Sequence, residues 1–345
     1  VLDLNDYQEM ENRTLPRPPL ELLELANAYQ RSKTLFALIE FQLPTLLARR
    51  PLTLAEIARA LEIHPLAADS FLNSCIALGL LEHAGAEYRN APLAEEFLAQ
   101  GKPGYLGDQF MSYDQTSYPL WANLAQNLRQ WQPGATDDEL PPDDDQGEAG
   151  MRARHNLSLL VGNALGEAFD FSSFHRMLDL GGGTGAMSLS ICAQHSQLRS
   201  LIFDLPQVTK LAQEYVAESG LNDRIEIMEG NFKLDELPDN FDVALLANLL
   251  SVSSEQTNRQ LFRRIYERLP AGGAIILSGY VLDDGRAGSL IPLLFCLQDI
   301  NWQAPDVERE ASTYAEWLAA AGFVEIEHRA FCPPTSLVAG RKRSN

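Results

Sequence analysis

From about residue 147 to the carboxyl end, short apolar runs alternate with segments of helical periodicity, and no other feature restricts the fold of this chain as much. The runs "RMLDLG", "SLIFDL", "RIEIME", "FDVALLA", "AIILSGYV", "FVEIEHRA" and "SLVAGR" have the length and apolar character of strands. Segments such as "GAMSLSICAQH", "QVTKLAQEYVAESG" and "TNRQLFRRIYERL" lie among the first five in helical spacing, and a long helix, "GEAGMRARHNLSLLVGNALGEAFD", leads in. Strand–helix alternation forces parallel pairing with helices over both faces, so the expected fold is α/β with a doubly wound, Rossmann-like parallel sheet. Such sheets take ligands at the carboxyl ends of their strands, and that edge is where functional residues are sought.

The amino-terminal part reads differently. Residues from about 20 to 100 show apolar spacing at i, i+3 and i+4 in successive segments, with Thr53 and Glu56 forming a capping box. Two short strands, "LLEH" and "EYRN", follow, which completes the outline of a winged helix. The segment in the place of a recognition helix, "PLAADSFLNSCIALGLL", contains no Lys or Arg, and the chain carries a formal net charge of -20. A reader of phosphates needs cations there, so nucleic acid and anionic membranes are excluded as main partners. The module is expected to pack against a second copy of itself. Between 132 and 150, "QPGATDDELPPDDDQGEAG" reads as a solvated loop without the order of a calcium site. The expected division is a dimerisation domain over 1–110, a helical connector and acidic loop over 111–150, and a ligand-binding domain over 151–345. The four cysteines are far apart and lack a CxxC, so no disulfide framework or metal site is expected. No apolar run approaches ~18 residues, and "VLDLNDYQEMENR" does not read as a signal peptide, which makes a soluble cytoplasmic protein the expectation. The chain starts at Val1 without an initiator Met, as a piece of a longer polypeptide would.

"MLDLGGGTGAM" places Gly181, Gly183 and Gly185 after a strand and at the opening of a helix, with Ala186 completing a dinucleotide-like G-x-G-x-x-[GA]. Asp204, at the end of "LIFDLP", stands where an acid grips ribose hydroxyls. The discriminator is Asp179, two residues before Gly181. Beside a pyrophosphate it would be a like charge, costing roughly 4 kcal/mol at ~4 Å and an effective dielectric near 20. Beside an ammonium and a sulfonium it is favourable, which points to S-adenosylmethionine (SAM). The alternative is that Asp179 only caps the following turn.

"LDLGGGTG", "FDLPQV", "DRIEIMEGNF", "LPAGGAIIL" and "AGF", in that order, resemble the class I SAM-dependent small-molecule O-methyltransferases with a winged-helix dimerisation domain, over essentially the whole chain. The resemblance implies that Gly181, Gly183 and Gly185 admit the methionine and ribose portion, that Asp204 accepts from both ribose hydroxyls, and that Leu205 and Phe232 flank the adenine. It places Gly230, Asn231 and Asn248 in the same site, with Asn231 standing where the family has Asp near the adenine amino group. The segment after the fourth strand commonly reads Leu-His-Asp-Trp in that family, its His being the general base. Here it reads Leu250-Ser251-Val252-Ser253. A serine hydroxyl is too weak a base near pH 7 without an activating partner, so Ser251 is expected to bind substrate or fill space. A family acid in "ILSGYVL" is replaced by Gly279, whereas a supporting acid is kept in Glu308-Arg309-Glu310. Asp299 and Asn301 fall where the family lines its acceptor pocket, and are equally readable as solvated helix residues.

Met151, Arg154, His155, Ser158 and Leu159 share one helical face. His155 is the candidate auxiliary base, and Arg154 either binds an anionic substrate group or pairs with the Asp run. Catalytic expectations therefore rest on His155, Glu308 and Asp299, and substrate expectations on Arg154, Ser251 and Asn301. The expected activity is SAM-dependent O-methylation of a small aromatic or polyketide-like metabolite by a homodimer. The alternatives are non-methylating chemistry on the same cofactor, and a winged-helix regulator with a degenerate ligand domain.

Overall fold

A computed structural model describes residues 19–135, 145–286 and 290–344, so part of the acidic loop lies outside the described residues. The chain divides into two compact units, 1–95 and 96–345.

In the first unit, helices Ala28–Glu40, Leu54–Ala60 and Pro65–Ala77 bury Leu38, Ile57 and Leu72. Strands β1 (Leu52–Thr53), β2 (Leu81–Ala84) and β3 (Glu87–Asn90) form an antiparallel sheet in the order β1-β3-β2. The capping box is present: Thr53 N–H donates to Glu56 Oε2 at 2.8 Å, and Glu56 N–H donates to Thr53 Oγ1 at 3.4 Å. Helix Leu20–Ala26 buries none of its residues.

The second unit begins earlier than the sequence division near 110, because helices Gly107–Ser112, Tyr118–Trp121 and Leu124–Gln130 are built into it. Trp121 Nε1 donates to Gln298 Oε1, Asn127 Nδ2 donates to Asn301 Oδ1 at 2.9 Å, and Trp131 Nε1 donates to Ala304 O at 2.8 Å. Its sheet runs β6 (Ile225–Glu229), β5 (Arg199–Asp204), β4 (Arg176–Leu180), β7 (Val243–Ala247), β8 (Ala274–Gly279), β10 (Thr335–Arg341), β9 (Val324–Cys332). The strands expected from sequence are all present, but the sheet is not wholly parallel: β10 runs antiparallel to both β8 and β9. Only Pro333 and Pro334 separate β9 from β10, and a parallel crossover needs a dozen or more residues.

Strand alternation sorts the core. Leu178, Leu180, Ala244, Leu246, Ile275 and Leu277 pack with helices Glu255–Arg268 and Ala311–Ala321. Met177, Val243, Leu245, Ala274 and Ile276 pack with helices Asp145–Ala168, Ala186–Gln194 and Pro206–Ser219. Side chains two apart share a face, so strands apolar at every position are covered on both sides. Strand order reverses between β4 and β7, and the switch point leaves a crevice at their carboxyl ends.

Candidate active site

The glycine loop leaves β4 and enters helix Ala186–Gln194 with Gly181, Gly183 and Gly185 at φ +68°, +60° and +78°. At Gly181 a Cβ would stand 2.5 Å from Leu249 Cδ1, so this turn is closed against the segment after β7. A Cβ at Gly183 would meet nothing within 4 Å, so a ligand can approach that backbone closely. Gly183 N–H donates to Asp204 Oδ2 at 2.8 Å and Leu205 N–H donates to Asp204 Oδ1 at 2.7 Å. Each carboxylate oxygen retains a second acceptor site, enough for the two hydroxyls of a ribose. Burial pushes the Asp204 carboxyl up, and the two backbone donors oppose that shift. The loop and Asp204 thus fit the ribose and methionine portions of SAM.

Asp179 is not placed as its charge suggested. It is wholly buried beneath the loop: a Cβ on Gly182 would come within 2.8 Å of its carboxyl carbon. Its Oδ2 accepts from Ser188 Oγ at 2.6 Å, while Oδ1 has no partner. Burial, and then the nearby Asp204 charge, raise its pKa to about 6. Asp179 therefore lies under the loop, behind Gly182, instead of on its open side. Gly230 N–H donates to Asp204 O at 2.9 Å, and Gly230 lies over the Phe203 ring, which a Cβ would enter at 2.2 Å. Asn231 Oδ1 accepts from Lys233 N–H at 2.9 Å, which leaves one lone pair and its amide donors for a ligand. Phe232 packs on the sheet core, partly buried.

His155 also differs from expectation. Its Nδ1 lies 2.8 Å from Thr184 Oγ1 in the glycine loop, and its ring stacks on Tyr215 with centroids 3.6 Å apart. It is 7% exposed, and burial lowers its pKa to about 4. The imidazole is wedged between the loop and helix Pro206–Ser219, with Nδ1 against Thr184 and its basicity lowered by burial. Arg154, one residue back on the same helix, is exposed and lies beside the Tyr113 phenol, without an ion-pair partner among the described residues.

The β7 edge explains the three serines of "SVSS". Ser254 Oγ caps helix Glu255–Arg268 by accepting from Thr257 N–H. Ser253 is buried, and its carbonyl, like that of Leu250, accepts from Asn258 Nδ2. Ser251 is half-buried, its carbonyl accepts from Asp306 N–H at 3.2 Å, and its hydroxyl lies near the Asp299 carboxylate. Asp299, on helix Leu290–Asn301, is 6% exposed, and its Oδ2 has no partner. Burial, and then the Glu308 and Asp306 charges, raise its pKa to about 8. Glu308 Oε2 accepts from Tyr314 O–H at 2.8 Å, and burial raises Glu308 as well. Glu308 and Asn248 close in on Gly279: a Cβ there would lie 3.6 Å from Glu308 Oε1 and 3.3 Å from Asn248 Oδ1. Asn248 itself takes φ +50°, its N–H donating to Ser278 O.

Asn301 does not line this pocket. Its side chain is 3% exposed and turned to Asn127. The residues that sequence reasoning missed are partners: Ser188, Thr184, Tyr215 and Tyr314, together with Tyr113 and Tyr280. Tyr280 stacks on Phe295 at 3.9 Å, and its phenol is raised by burial first and then by Tyr113, Cys332 and Glu308. None carries a local sequence signal, because each partner is set by tertiary packing.

A sheet with this crevice and glycine–aspartate cradle defines a nucleoside-cofactor transferase. Residues 138–324 match the O-methyltransferase domain and residues 23–100 the O-methyltransferase dimerisation domain. The chain belongs to the SAM-dependent O-methyltransferases. It is 32% identical over 340 residues to the tetracenomycin polyketide synthesis 8-O-methyl transferase of Streptomyces glaucescens, covering 96% of this chain and 99% of that one. It is 32% identical over 334 residues to the 3-hydroxy-5-methyl-1-naphthoate 3-O-methyltransferase of Streptomyces sahachiroi, covering 94% and 95%. Human N-acetylserotonin methyltransferase in complex with SAM superposes with a TM-score of 0.81 at 26% identity, over 96% of this chain and all 100% of that one. Among the described residues no helix is long and apolar enough to cross a membrane, and no His, Cys, Asp or Glu cluster could hold a metal ion.

Proposed function

We propose that this enzyme methylates a hydroxyl of a small aromatic, polyketide-like metabolite, acting as a cytoplasmic homodimer. One observation carries the reading. The Gly183–Asp204 cradle and the Ser251–Asp299–Glu308 group lie at the carboxyl edge of one sheet, either side of the β4/β7 switch point. Asp204 would hold the ribose hydroxyls, the Gly181–Gly185 backbone the methionine portion, and Leu205, Gly230, Asn231 and Phe232 the adenine. When bound, SAM supplies an electrophilic methyl group on a sulfonium. The protein's own work is to orient the acceptor oxygen in line with that methyl and exclude water, which well-placed groups turn into a large share of the rate. Tyr113, Tyr280 and the Phe295 ring favour a planar acceptor, and Arg154 beside Tyr113 suits an acceptor that carries an anionic group. The names of the tetracenomycin and hydroxynaphthoate relatives fit that class.

The dimer reading is supported by the matched dimerisation domain and by Leu20, Leu22, Leu23 and Leu25, all exposed on one short helix. Free cysteines at 75, 192, 296 and 332 suit a reducing compartment. A second reading, N-methylation, is favoured by an N,N-dimethyltransferase of Streptomyces rimosus, 32% identical over 283 residues and covering 78% of this chain. Methyl-labelled SAM incubated with a panel of hydroxynaphthoates and matched aminonaphthoates separates the two. Label in a methyl ether supports O-methylation. Label only on nitrogen moves the assignment to the second reading, and label in neither class rejects both.

A further inference from the structure

We propose that His155 is a positioning residue for the cofactor, fixing the glycine loop through the side chain of Thr184. The inference deepens the reading of that loop as the SAM cradle and rests on it.

The loop needs a hold from outside itself. Gly181, Gly182, Gly183 and Gly185 carry no side chain, so Thr184 is the single point between 181 and 185 that a neighbouring element can grip. Glycine loses more conformational freedom on ordering than any other residue, and three of these four take positive φ. Thr184 is 6% exposed, and its Oγ1 lies 2.8 Å from His155 Nδ1, a hydrogen bond between two buried side chains. One residue back, Gly183 N–H donates to Asp204 Oδ2 at 2.8 Å. A shift of Thr184 therefore moves a donor that orients the Asp204 carboxylate.

The imidazole is itself held in place. Its ring stacks on Tyr215 with centroids 3.6 Å and planes 12° apart. Three residues earlier, Arg152 donates to Glu148 Oε1 at 2.9 Å and to Glu214 Oε2 at 2.6 Å, which pins helix Asp145–Ala168 to the helix that carries Tyr215. Further along, Ser190 Oγ donates to Leu159 O at 2.9 Å, and a Cβ on Gly162 would stand 2.8 Å from Ser190 Cβ. Helix Asp145–Ala168 is thus fixed against helix Ala186–Gln194, which continues from the loop, and against helix Pro206–Ser219, which follows Asp204. Burial keeps the imidazole neutral at pH 7, so it grips the loop without setting a cation beside a positively charged cofactor. The same helix carries Arg154, so one element reaches both the cofactor loop and the Tyr113 side of the crevice.

The test is calorimetric titration of SAM, with kcat and KM for SAM measured on a hydroxynaphthoate. His155→Phe keeps a ring on Tyr215 and loses the hydrogen bond, while Thr184→Val removes the hydroxyl at constant shape. Each should raise the SAM dissociation constant by ~5–30-fold. The double variant should bind no more than about twofold worse than the weaker single, because the two changes break one contact. His155→Asn, which sets an amide nitrogen near the place of Nδ1 but has no ring to stack, should stay within about threefold of the parent. Thr184→Ser should do the same. Recovery by Asn without the stack is a result that a merely space-filling role for the ring would not give. KM for SAM should rise with the dissociation constant while kcat stays within about threefold, the split left by an interaction made equally in ground and transition states. Folded His155→Phe and Thr184→Val that bind SAM within twofold of the parent would overturn the proposal, and weakened binding by Asp204→Ala in the same series would leave the cradle standing. A ~100-fold fall in kcat of His155→Phe at unchanged SAM affinity would overturn it too, placing His155 in the acceptor chemistry. If Asp204→Ala also binds SAM like the parent, the cradle reading falls and the proposal with it.

Discussion

The two sides of the crevice are built by different means. On the β4/β5 side the ligand groups are mostly backbone: positive-φ glycines, the Gly183 N–H, and one carboxylate oriented by peptide donors. On the β7/β8 side they are side chains from distant segments, with Ser251, Asp299 and Glu308 joined only by tertiary packing. A backbone site tolerates few substitutions, because a Cβ cannot be moved aside. A side-chain site can change its chemistry one residue at a time, and Ser251, where the resemblance leads one to expect a histidine, lies on that second side.

The largest effect expected on the first side is that of Asp204→Ala. Removing a charge-assisted acceptor of two hydroxyls should cost about 2–4 kcal/mol of SAM affinity, read by calorimetry. Affinity within threefold of the parent would remove Asp204 from the site. Next comes Gly230→Ala, whose Cβ would meet the Phe203 ring at 2.2 Å. Overpacking of this kind costs about 1–3 kcal/mol and should appear as a lowered melting temperature and weaker SAM binding. An unchanged melting temperature would mean that the ring moves freely. Across the crevice, Tyr314→Phe takes the donor from Glu308 Oε2, a loss of about 1–3 kcal/mol in stability. That loss should be smaller at low pH, where a protonated Glu308 needs the donor less. A pH-independent loss would place the cost in packing alone.

The remaining predictions concern pH, and the two sides differ in sign. His155 is held neutral with its pKa lowered to about 4, so the unfolded chain binds more protons between about 4 and the ordinary ~6.5. Its contribution to stability is present above that window and is lost as pH falls through it. Asp299, raised to about 8, does the reverse: the folded chain binds more protons between ~3.9 and about 8, so stability falls as pH rises. Replacing His155 with Phe should remove the acid-side loss, and Asp299→Asn should remove the alkaline-side loss, both followed by urea unfolding at stepped pH. Parent-like profiles in both variants would show that neither group carries the linkage.

How much could be read from the sequence follows the same division. The glycine loop, Asp204 and the strand–helix alternation were legible because each is a local demand: a turn needs Gly, and a covered strand needs continuous apolar residues. The antiparallel β10 was hidden in a run that differs from a parallel strand only by the shortness of the turn before it. His155 and Arg154 seemed to share a face by helical spacing, yet the helix turns one to Thr184 and leaves the other exposed. Asp179 was read by its charge, with capping of the turn as the alternative, and its burial under Gly182 is a fact of packing. Nothing local to Ser251 announced the carboxylate near it, because Asp299 lies 48 positions further along the chain.

The comparison is tested most directly by titrating SAM into the parent, Asp204→Ala and Asp299→Asn under one set of conditions at pH 7. If the β4/β5 side holds the cofactor and the β7/β8 side serves the acceptor, Asp204→Ala raises the SAM dissociation constant by ~30-fold or more. Asp299→Asn then leaves it within about twofold. Equal weakening by the two variants would contradict the division.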